Sequence, residues 1–200
     1  MCEVLLTDMT PHPSNNRSAC AAAAEKYGSF DTWFGIEQEY TYFDGIKPLG
    51  WPDNGFPAPQ GGYYCGVGSD EVFGRPIVEA HLDACIEAGL QIAGINGEVM
   101  PGQWEFQIGP IGAPAVADHL WVARWLLYRI AEEFDVSATL DPKQSGAIGM
   151  GQELTLISLL SRCVKVMTLV SLPQKLWVRK LIFMWLIMVT GLKRGLQDFM

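Results

Sequence analysis

Four glutamates stand on segments whose composition is typical of β-strands. Trp33 to Phe43 reads WFGIEQEYTYF, an aromatic and β-branched run that predicts a strand. Residues two apart on a strand share a face, so Glu37 and Glu39 are predicted to project side by side, about 6–7 Å apart. Glu105 lies on a second such run, QWEFQIG, and Glu98 precedes it across a Pro-Gly turn. The sequence therefore predicts a group of acidic side chains on one region of a sheet.

Clustered carboxylates suggest a divalent cation. Anions repel one another, and burying each without compensation costs several kcal/mol. Oxygen ligands with no Cys or His among them favour Mg²⁺ or Mn²⁺ over zinc. The alternative is a half-exposed sheet whose glutamates face water, and spacing alone does not decide between the two. The neighbouring Trp104 and Phe106 favour a covered sheet.

The elements that must position these glutamates mix strands with helices. A loop rich in Gly and Pro follows the first strand, and helical periodicity appears on both sides of the later strands. Pro101 and Gly102 predict a turn between two strands. The strands are predicted at 33–43, 91–100 and 103–108, and the helices at about 70–88 and 115–134.

Other residues that could do chemistry have a simpler interpretation. His81 lies on the apolar stripe of its helix, which predicts a packed side chain, and His119 is predicted to cap the second helix. Glu71 and Arg75 have the i,i+4 spacing of a surface ion pair. The glycines of the preceding loop match no phosphate-cradling GxxxxGK[ST] pattern, so no P-loop is predicted.

Composition excludes some classes of protein. The 200 residues carry a net charge of −8, which argues against a nucleic-acid-binding protein with its basic face. Five widely spaced cysteines contain no CxxC pair, so we expect reduced thiols and a cytoplasmic protein. The N-terminus has no basic segment followed by an apolar run, so no signal peptide is predicted. A strand-like CEVLL directly after Met1 leads us to expect a missing N-terminal portion.

Charge divides the chain into two segments. Residues 1–143 carry 7 Lys and Arg against 20 Asp and Glu, whereas residues 144–200 carry 7 against 2. Acidic residues almost vanish after Asp141 while large apolar residues accumulate. So sharp a change predicts a boundary near residue 143. The longest apolar run of the second segment, 181–192, is shorter than the roughly 20 residues that span a bilayer, so no membrane anchor is predicted.

Several long motifs in the first segment together resemble a known family. They are WFGIEQEYTYF, NGFPAPQGGYYCGVG, GRPIVEAHLDACIEAGLQIAGINGEVMPGQWEFQIGP, DHLWVARWLLYRIAEEF and ATLDPK, in that order. They closely resemble glutamine synthetase of the eukaryotic-type class (class II), from about Cys2 to Lys143. The resemblance implies an α+β fold, a catalytic domain with a curved antiparallel sheet and flanking helices, of which this chain holds the front half.

The resemblance also implies an activity, the ATP-dependent ligation of ammonia to glutamate by way of γ-glutamyl phosphate. It implies Mg²⁺ or Mn²⁺, ATP, glutamate and ammonia as ligands, and a homo-oligomeric ring in the intact family. No residue of this chain is assigned a catalytic role by it. The implied metal ligands are Glu37, Glu39, Glu98 and Glu105. The implied ATP-binding residues are Glu37, Glu105, Phe106, Gln107, Ile108, Gly109 and Pro110.

The resemblance stops abruptly at Lys143. Suitable codons for Gln144 to Gly151, read in a shifted frame, encode PVRGDWNG, and continuing the shift recovers the family motifs WNGAG-HTNFST, ANYG, RLTG and HE in order. We therefore expect residues 144–200 to be an out-of-frame tail without a native fold, and the chain to be inactive as written. Two alternatives remain open: a different carboxylate-metal phosphotransferase or hydrolase, and a truncated, non-catalytic subunit.

Overall fold

A computed structural model describes residues 2–58, 61–141, 154–160 and 163–168. In this part of the chain an antiparallel sheet is flanked by helices, which confirms the predicted α+β class. The helices are α1 (Asn16–Lys26), α2 (Arg75–Glu87) and α3 (Ala115–Glu133), with a 3₁₀ turn at Gly28–Phe30. The strands are β1 (Thr32–Asp44), β2 (Lys47–Pro48), β3 (Ile92–Gly97), β4 (Gln103–Ile111), β5 (Ser137–Thr139), β6 (Leu154–Leu160) and β7 (Cys163–Thr168).

The long strand β1 lies at the centre of the sheet. The strand order is β3-β4-β1-β6-β7, and the short strands β2 and β5 also pair with β1. Between β1 and β4 the register sets Glu37 opposite Gln107, and Glu39 opposite Glu105. Directly opposed residues of an antiparallel pair project to the same face. This register therefore brings the acidic residues of the two strands together.

The hydrophobic core lies between the other face of the sheet and the helices α2 and α3. The side chains of Tyr40, Trp104 and Phe106 are almost fully buried there. Burial of a leucine side chain such as that of Leu127 on α3 contributes about 1.5–3 kcal/mol. The residues that the two helices bury are Ile77, Val78, His81 and Cys85 on α2, and Val116, Leu120, Ala123, Leu127 and Ala131 on α3.

Several predicted bounds change in the structure. The first predicted helix, 70–88, begins at Arg75, because Gly74 adopts φ 90° and ends the preceding turn, and Pro76 is suited to the first helical turn. The strand predicted at 91–100 ends at Gly97, where the chain enters the turn. The second predicted helix is confirmed within one residue. Helix α1 was not predicted, although Asn15 caps it by accepting from the Ser18 N–H.

The turn between β3 and β4 places Glu98 beside β4. Gly102 has φ 76°, and a Cβ added there would lie 2.5 Å from the Leu49 carbonyl oxygen, so only glycine fits. Across the turn the Glu98 N–H donates to the Gln103 carbonyl over 2.9 Å. The predicted Pro101-Gly102 turn thus positions a carboxylate at the end of β3.

Strands β6 and β7 belong to the segment that the sequence predicts to be an out-of-frame tail. Residues 154–160 pair with Thr32 to Gln38 of β1, and β7 pairs with β6. The hydrogen bonds between two strands join backbone groups and not side chains. A segment translated out of frame can therefore form them as well as a segment in frame. The interpretation of 144–200 stays a prediction, and the apolar run 181–192 lies outside the described residues. Among the described helices, none has both the length and the apolar character needed to cross a bilayer.

Candidate metal centre

Three of the four predicted carboxylates converge. Glu39 on β1, Glu105 on β4 and Glu98 after β3 each offer one carboxylate oxygen, and these oxygens lie within 4.8 Å of one another. The strand register accounts for two of them, because Glu39 and Glu105 are direct cross-strand partners. The turn supplies the third. That these glutamates are metal ligands stays a prediction.

The group is largely withdrawn from water. Glu105 is 3% exposed and Glu98 is 8% exposed, while Glu39 is half-buried. Burial, followed by the negative charges of Glu39 and Glu105, raises the pKa of Glu98 well above its usual range. Buried carboxylates at this separation need a compensating positive charge or a shared proton. The donor set, all oxygen and all acidic, fits Mg²⁺ or Mn²⁺.

Glu37 lies outside this group of three among the described residues. It is 6% exposed and faces Gln107 across the β1–β4 ladder, one same-face step along β1 from Glu39. Its charge nevertheless acts on Tyr64, a residue on which Glu98 and Glu105 also act. Glu37 is therefore a neighbour of the three convergent carboxylates and lies beside the same loop.

The loop before α2 forms a wall of the site that sequence reasoning missed. The Cys65 N–H donates to the Gly97 carbonyl over 2.9 Å, which fixes the loop beside the end of β3. Burial, and next the charge of Glu98, raise the pKa of Tyr64 to about 12. Its phenol is neutral beside the carboxylates and adds no further anion. The only sequence signal was the Tyr63-Tyr64 pair within a loop rich in Gly and Pro.

The predicted ATP-binding run of β4 is divided between the two faces of the sheet. Glu105 and Gln107 lie on the face of the carboxylates, and the Gln107 amide donates to Glu105. Phe106 and Ile108 are 0% and 1% exposed in the core beneath, and both pair with β1 on one side and with β3 on the other. Gly109 has φ 100°, and a Cβ there would lie 2.4 Å from a β1 carbonyl oxygen. Pro110, which follows it, is half-buried at the end of the run.

The predictions for the two histidines of the helices, His81 and His119, have different outcomes. His81 is fully buried and its Nε2 lies 2.9 Å from the Ala123 carbonyl oxygen, so its predicted packing is confirmed. The prediction that His119 caps a helix is wrong, because its Nδ1 accepts from the Gln91 N–H.

The predicted surface ion pair at the start of α2 is also wrong. Arg75 lies over the Trp104 ring and donates to the Gly66 carbonyl, and the ion pairs of the described residues do not join it to Glu71. Helix α2 begins only at Arg75, so Glu71 is not part of it and the helical spacing on which the prediction rested does not apply.

Comparison with known proteins decides the family. Residues 13–159 match the family described as glutamine synthetase, catalytic domain. The chain belongs to the glutamine synthetase family. Glutamine synthetase of Streptomyces viridochromogenes is 68% identical over 143 residues, which cover 72% of this chain and 42% of that protein. The human protein named glutamine synthetase is 54% identical over 145 residues, covering 72% of this chain and 39% of its own length.

A solved structure supports the fold. A crystal structure described as a novel glutamine synthase homolog superposes with a TM-score of 0.61, at 19% identity, over 79% of this chain and 34% of its own. At that identity the likeness concerns the fold alone. The chain spans about two fifths of the length of the curated glutamine synthetases that it matches.

Proposed function

We propose that residues 1–143 supply the metal-binding and nucleotide-binding front half of a glutamine synthetase active site. The observation that carries this proposal is the convergence of Glu39, Glu98 and Glu105 within 4.8 Å in a chain of that family. Glu37, on the same face, completes the proposed set of ligands for Mg²⁺ or Mn²⁺. The other ligands proposed for the complete enzyme are ATP, glutamate and ammonia.

The proposed reaction transfers the terminal phosphoryl group of ATP to the γ-carboxylate of glutamate, after which ammonia displaces phosphate. A divalent cation in this site would neutralise phosphate charge and orient the phosphoryl group. The carboxylates of this chain would hold that cation. Tyr64 adds a neutral hydroxyl group, and no further negative charge, beside the site.

The nucleotide is proposed to lie along β4. The proposed contacts are the residues predicted from the sequence, and their side chains lie on the two opposite faces of the sheet. Glu105 and Gln107 present side chains on the face of the carboxylates, whereas Phe106 and Ile108, buried in the core beneath and paired with both neighbouring strands, are proposed to hold these side chains in place. Gly109 allows the β1 backbone to approach closely, because a Cβ there would meet the Phe34 carbonyl oxygen, and with Pro110 it ends the proposed run. Glu37 is shared between the proposed metal and ATP sets.

The 200-residue chain is proposed to be inactive by itself. It spans about two fifths of its relatives, and residues 144–200 are proposed to be out of frame, so the later family motifs are missing from it. The nucleotide sequence around the codon for Lys143 tests this directly. A one-base change there should open the frame of the WNGAG-HTNFST motif, and the absence of any such change would overturn the proposal.

Metal binding tests the site itself. Calorimetric titration with Mn²⁺ should show one saturable event in the purified chain, and Glu39→Gln and Glu105→Gln should each abolish it. Glu79→Gln, at an exposed position of α2, is the matched control and should leave binding unchanged. Equal binding by all variants would refute the carboxylate site.

Turnover separates the proposed activity from the other candidate functions. A chain with the frame restored after Lys143 should turn over ATP only with glutamate and ammonium, whereas ATP turnover without glutamate would favour a different phosphotransferase. Detectable glutamate-dependent turnover by the 200-residue chain would refute its inactivity.

Assembly and location are proposals from the family. A homo-oligomeric ring is proposed for the complete protein, and discrete ring-sized species of this chain in size-exclusion chromatography would favour a truncated subunit that joins it. The cytoplasm is the proposed location. In its favour, the four cysteines whose side chains the structure describes (Cys2, Cys20, Cys65 and Cys85) are all free thiols.

A further inference from the structure

We infer that three side-chain amides, those of Asn96, Gln103 and Gln107, are positioning residues that orient the convergent carboxylates for a divalent cation. These three residues are called the amide set below. The inference rests on the proposed metal site and extends it to residues that the resemblance does not assign to the metal. It concerns how the ligands are held rather than which ligands they are.

Each convergent carboxylate accepts a hydrogen bond from a different member of the amide set. Gln103 Nε2 donates to Glu39 Oε2 over 3.0 Å. Asn96 Nδ2 donates to Glu98 Oε1 over 3.1 Å. Gln107 Nε2 donates to Glu105 Oε1. This one-to-one correspondence fixes the direction of every carboxylate in the group.

The amide set also links two of the ligands to each other. Gln107 Nε2 donates its second hydrogen to Asn96 Oδ1 over 2.6 Å, so Asn96 and Gln107 connect Glu98 to Glu105. The space for this arrangement comes from Gly94 on β3, where an added Cβ would lie 2.7 Å from Gln107 Oε1. A change at Gln107 should therefore disturb the orientation of two carboxylates at once.

Neutral amides suit this role better than cationic side chains. A Lys or Arg bound to the carboxylates would supply the positive charge that a metal ion otherwise supplies. Within the described residues, no Lys or Arg forms an ion pair with Glu98 or Glu105. An amide N–H orients one carboxylate oxygen and leaves the negative charge intact, as supporting hydrogen bonds do around metal ligands in general.

Gln103 gives independent support for a ligand at this place. Its side chain is 2% exposed, and its Oε1 atom is buried with no hydrogen-bond partner in the described structure. An unpaired buried acceptor costs about 1–3 kcal/mol. A water molecule on a hydrated Mg²⁺ or Mn²⁺ is a donor of the kind that this oxygen lacks.

The test compares metal affinity with the stability of the metal-free protein. In the 200-residue chain, Gln107→Met removes the amide at nearly constant length, and the control Gln91→Met makes the same change at the exposed residue just before β3. We expect Gln107→Met to weaken Mn²⁺ binding on the order of 10- to 100-fold in calorimetric titration. The control should bind like the unaltered chain, and urea unfolding in EDTA should show that both variants fold.

The outcomes separate this inference from the proposed function. If the unaltered chain binds no Mn²⁺, both fail; if it binds Mn²⁺ and a folded Gln107→Met binds equally well, only the positioning role is refuted. Should Gln107→Met not fold, Asn96→Leu and Gln103→Met, which break different hydrogen bonds, decide the question by the same affinity ratio. A merely structural role would lower stability in EDTA and leave the Mn²⁺ affinity of the folded fraction unchanged.

Discussion

The two faces of β1 and β4 are made of alternate residues of the same two strands, yet they serve different purposes. Towards α2 and α3 the strands present Tyr40, Trp104 and Phe106, all buried among apolar side chains. Towards the other side they present Glu39 and Glu105. We refer to these as the helix face and the carboxylate face. Both faces are withdrawn from water, but burial stabilises the fold only on the helix face.

Contacts on the helix face support the strand that carries the carboxylates. Gln38, between the two acids of β1, points to the helix face, where its Oε1 accepts from Arg124 Nε over 2.8 Å. Its own amide donates to the Glu39 carbonyl over 2.7 Å. The helix face thus holds the backbone from which the carboxylates project. Changes on one face should alter stability, and changes on the other should alter metal binding.

The largest effect is expected from removing a buried ring of the helix face. Phe106→Ala should lower the free energy of unfolding by about 3–5 kcal/mol, because it removes apolar contacts and leaves a cavity beneath α2. Urea unfolding in EDTA measures this loss. Trp125→Ala, at a ring that is 61% exposed on α3, should cost far less. Equal losses for the two variants would contradict the assignment of the core.

Metal should stabilise the chain through the carboxylate face alone. Mn²⁺ at 100 times its dissociation constant should add about 2.7 kcal/mol to the free energy of unfolding, and EDTA should remove it. The thermal midpoint with and without Mn²⁺ measures this gain. Glu39→Gln should lose the gain, whereas Glu79→Gln should keep it. A gain that persists in Glu39→Gln would place the metal elsewhere.

Strand alternation was enough to predict the carboxylate face, because a period of two is a local property of the chain. It placed Glu37 with Glu39, and Glu105 with Gln107, on one face. The approach of Glu98 depended on a Pro-Gly turn that the sequence also indicated. These residues needed only short-range information and one cross-strand pairing.

Features that depend on distant contacts were not predictable in the same way. The approach of Tyr64 depends on the Cys65 N–H bonding the Gly97 carbonyl, a contact between a loop and a strand far along the chain. The start of α2 at Arg75 depends on the left-handed conformation of Gly74, which no periodicity reveals. The hydrogen bonds of the amide set were equally hidden, because alternation gives the face of Gln107 but not the carboxylate to which its amide donates.

A smaller effect of opposite sign is expected from replacing one carboxyl group by an amide. Burial and the charges of Glu39 and Glu105 raise the pKa of Glu98 to about 10, so folding at neutral pH must protonate this side chain, and Glu98→Gln should therefore raise the free energy of unfolding of the metal-free chain by about 1 kcal/mol. The Asn96 hydrogen bond to position 98 can be kept. Urea unfolding in EDTA measures the gain. Destabilisation of the metal-free chain would mean that the carboxylate face is not strained by its charges.

The smallest effect is a change in the pH dependence of stability that comes from the helix face. Burial lowers the pKa of His81 from 6.5, so the unfolded chain takes up a proton at a higher pH than the folded one. The contribution of His81 to stability is therefore complete above pH 6.5 and is lost as pH falls through its folded-state pKa. His81→Gln keeps a donor for the Ala123 carbonyl and removes the titration. Urea unfolding in EDTA between pH 5 and 8 should give a shallower acid-side slope for this variant, and an unchanged slope would show that His81 does not contribute to it.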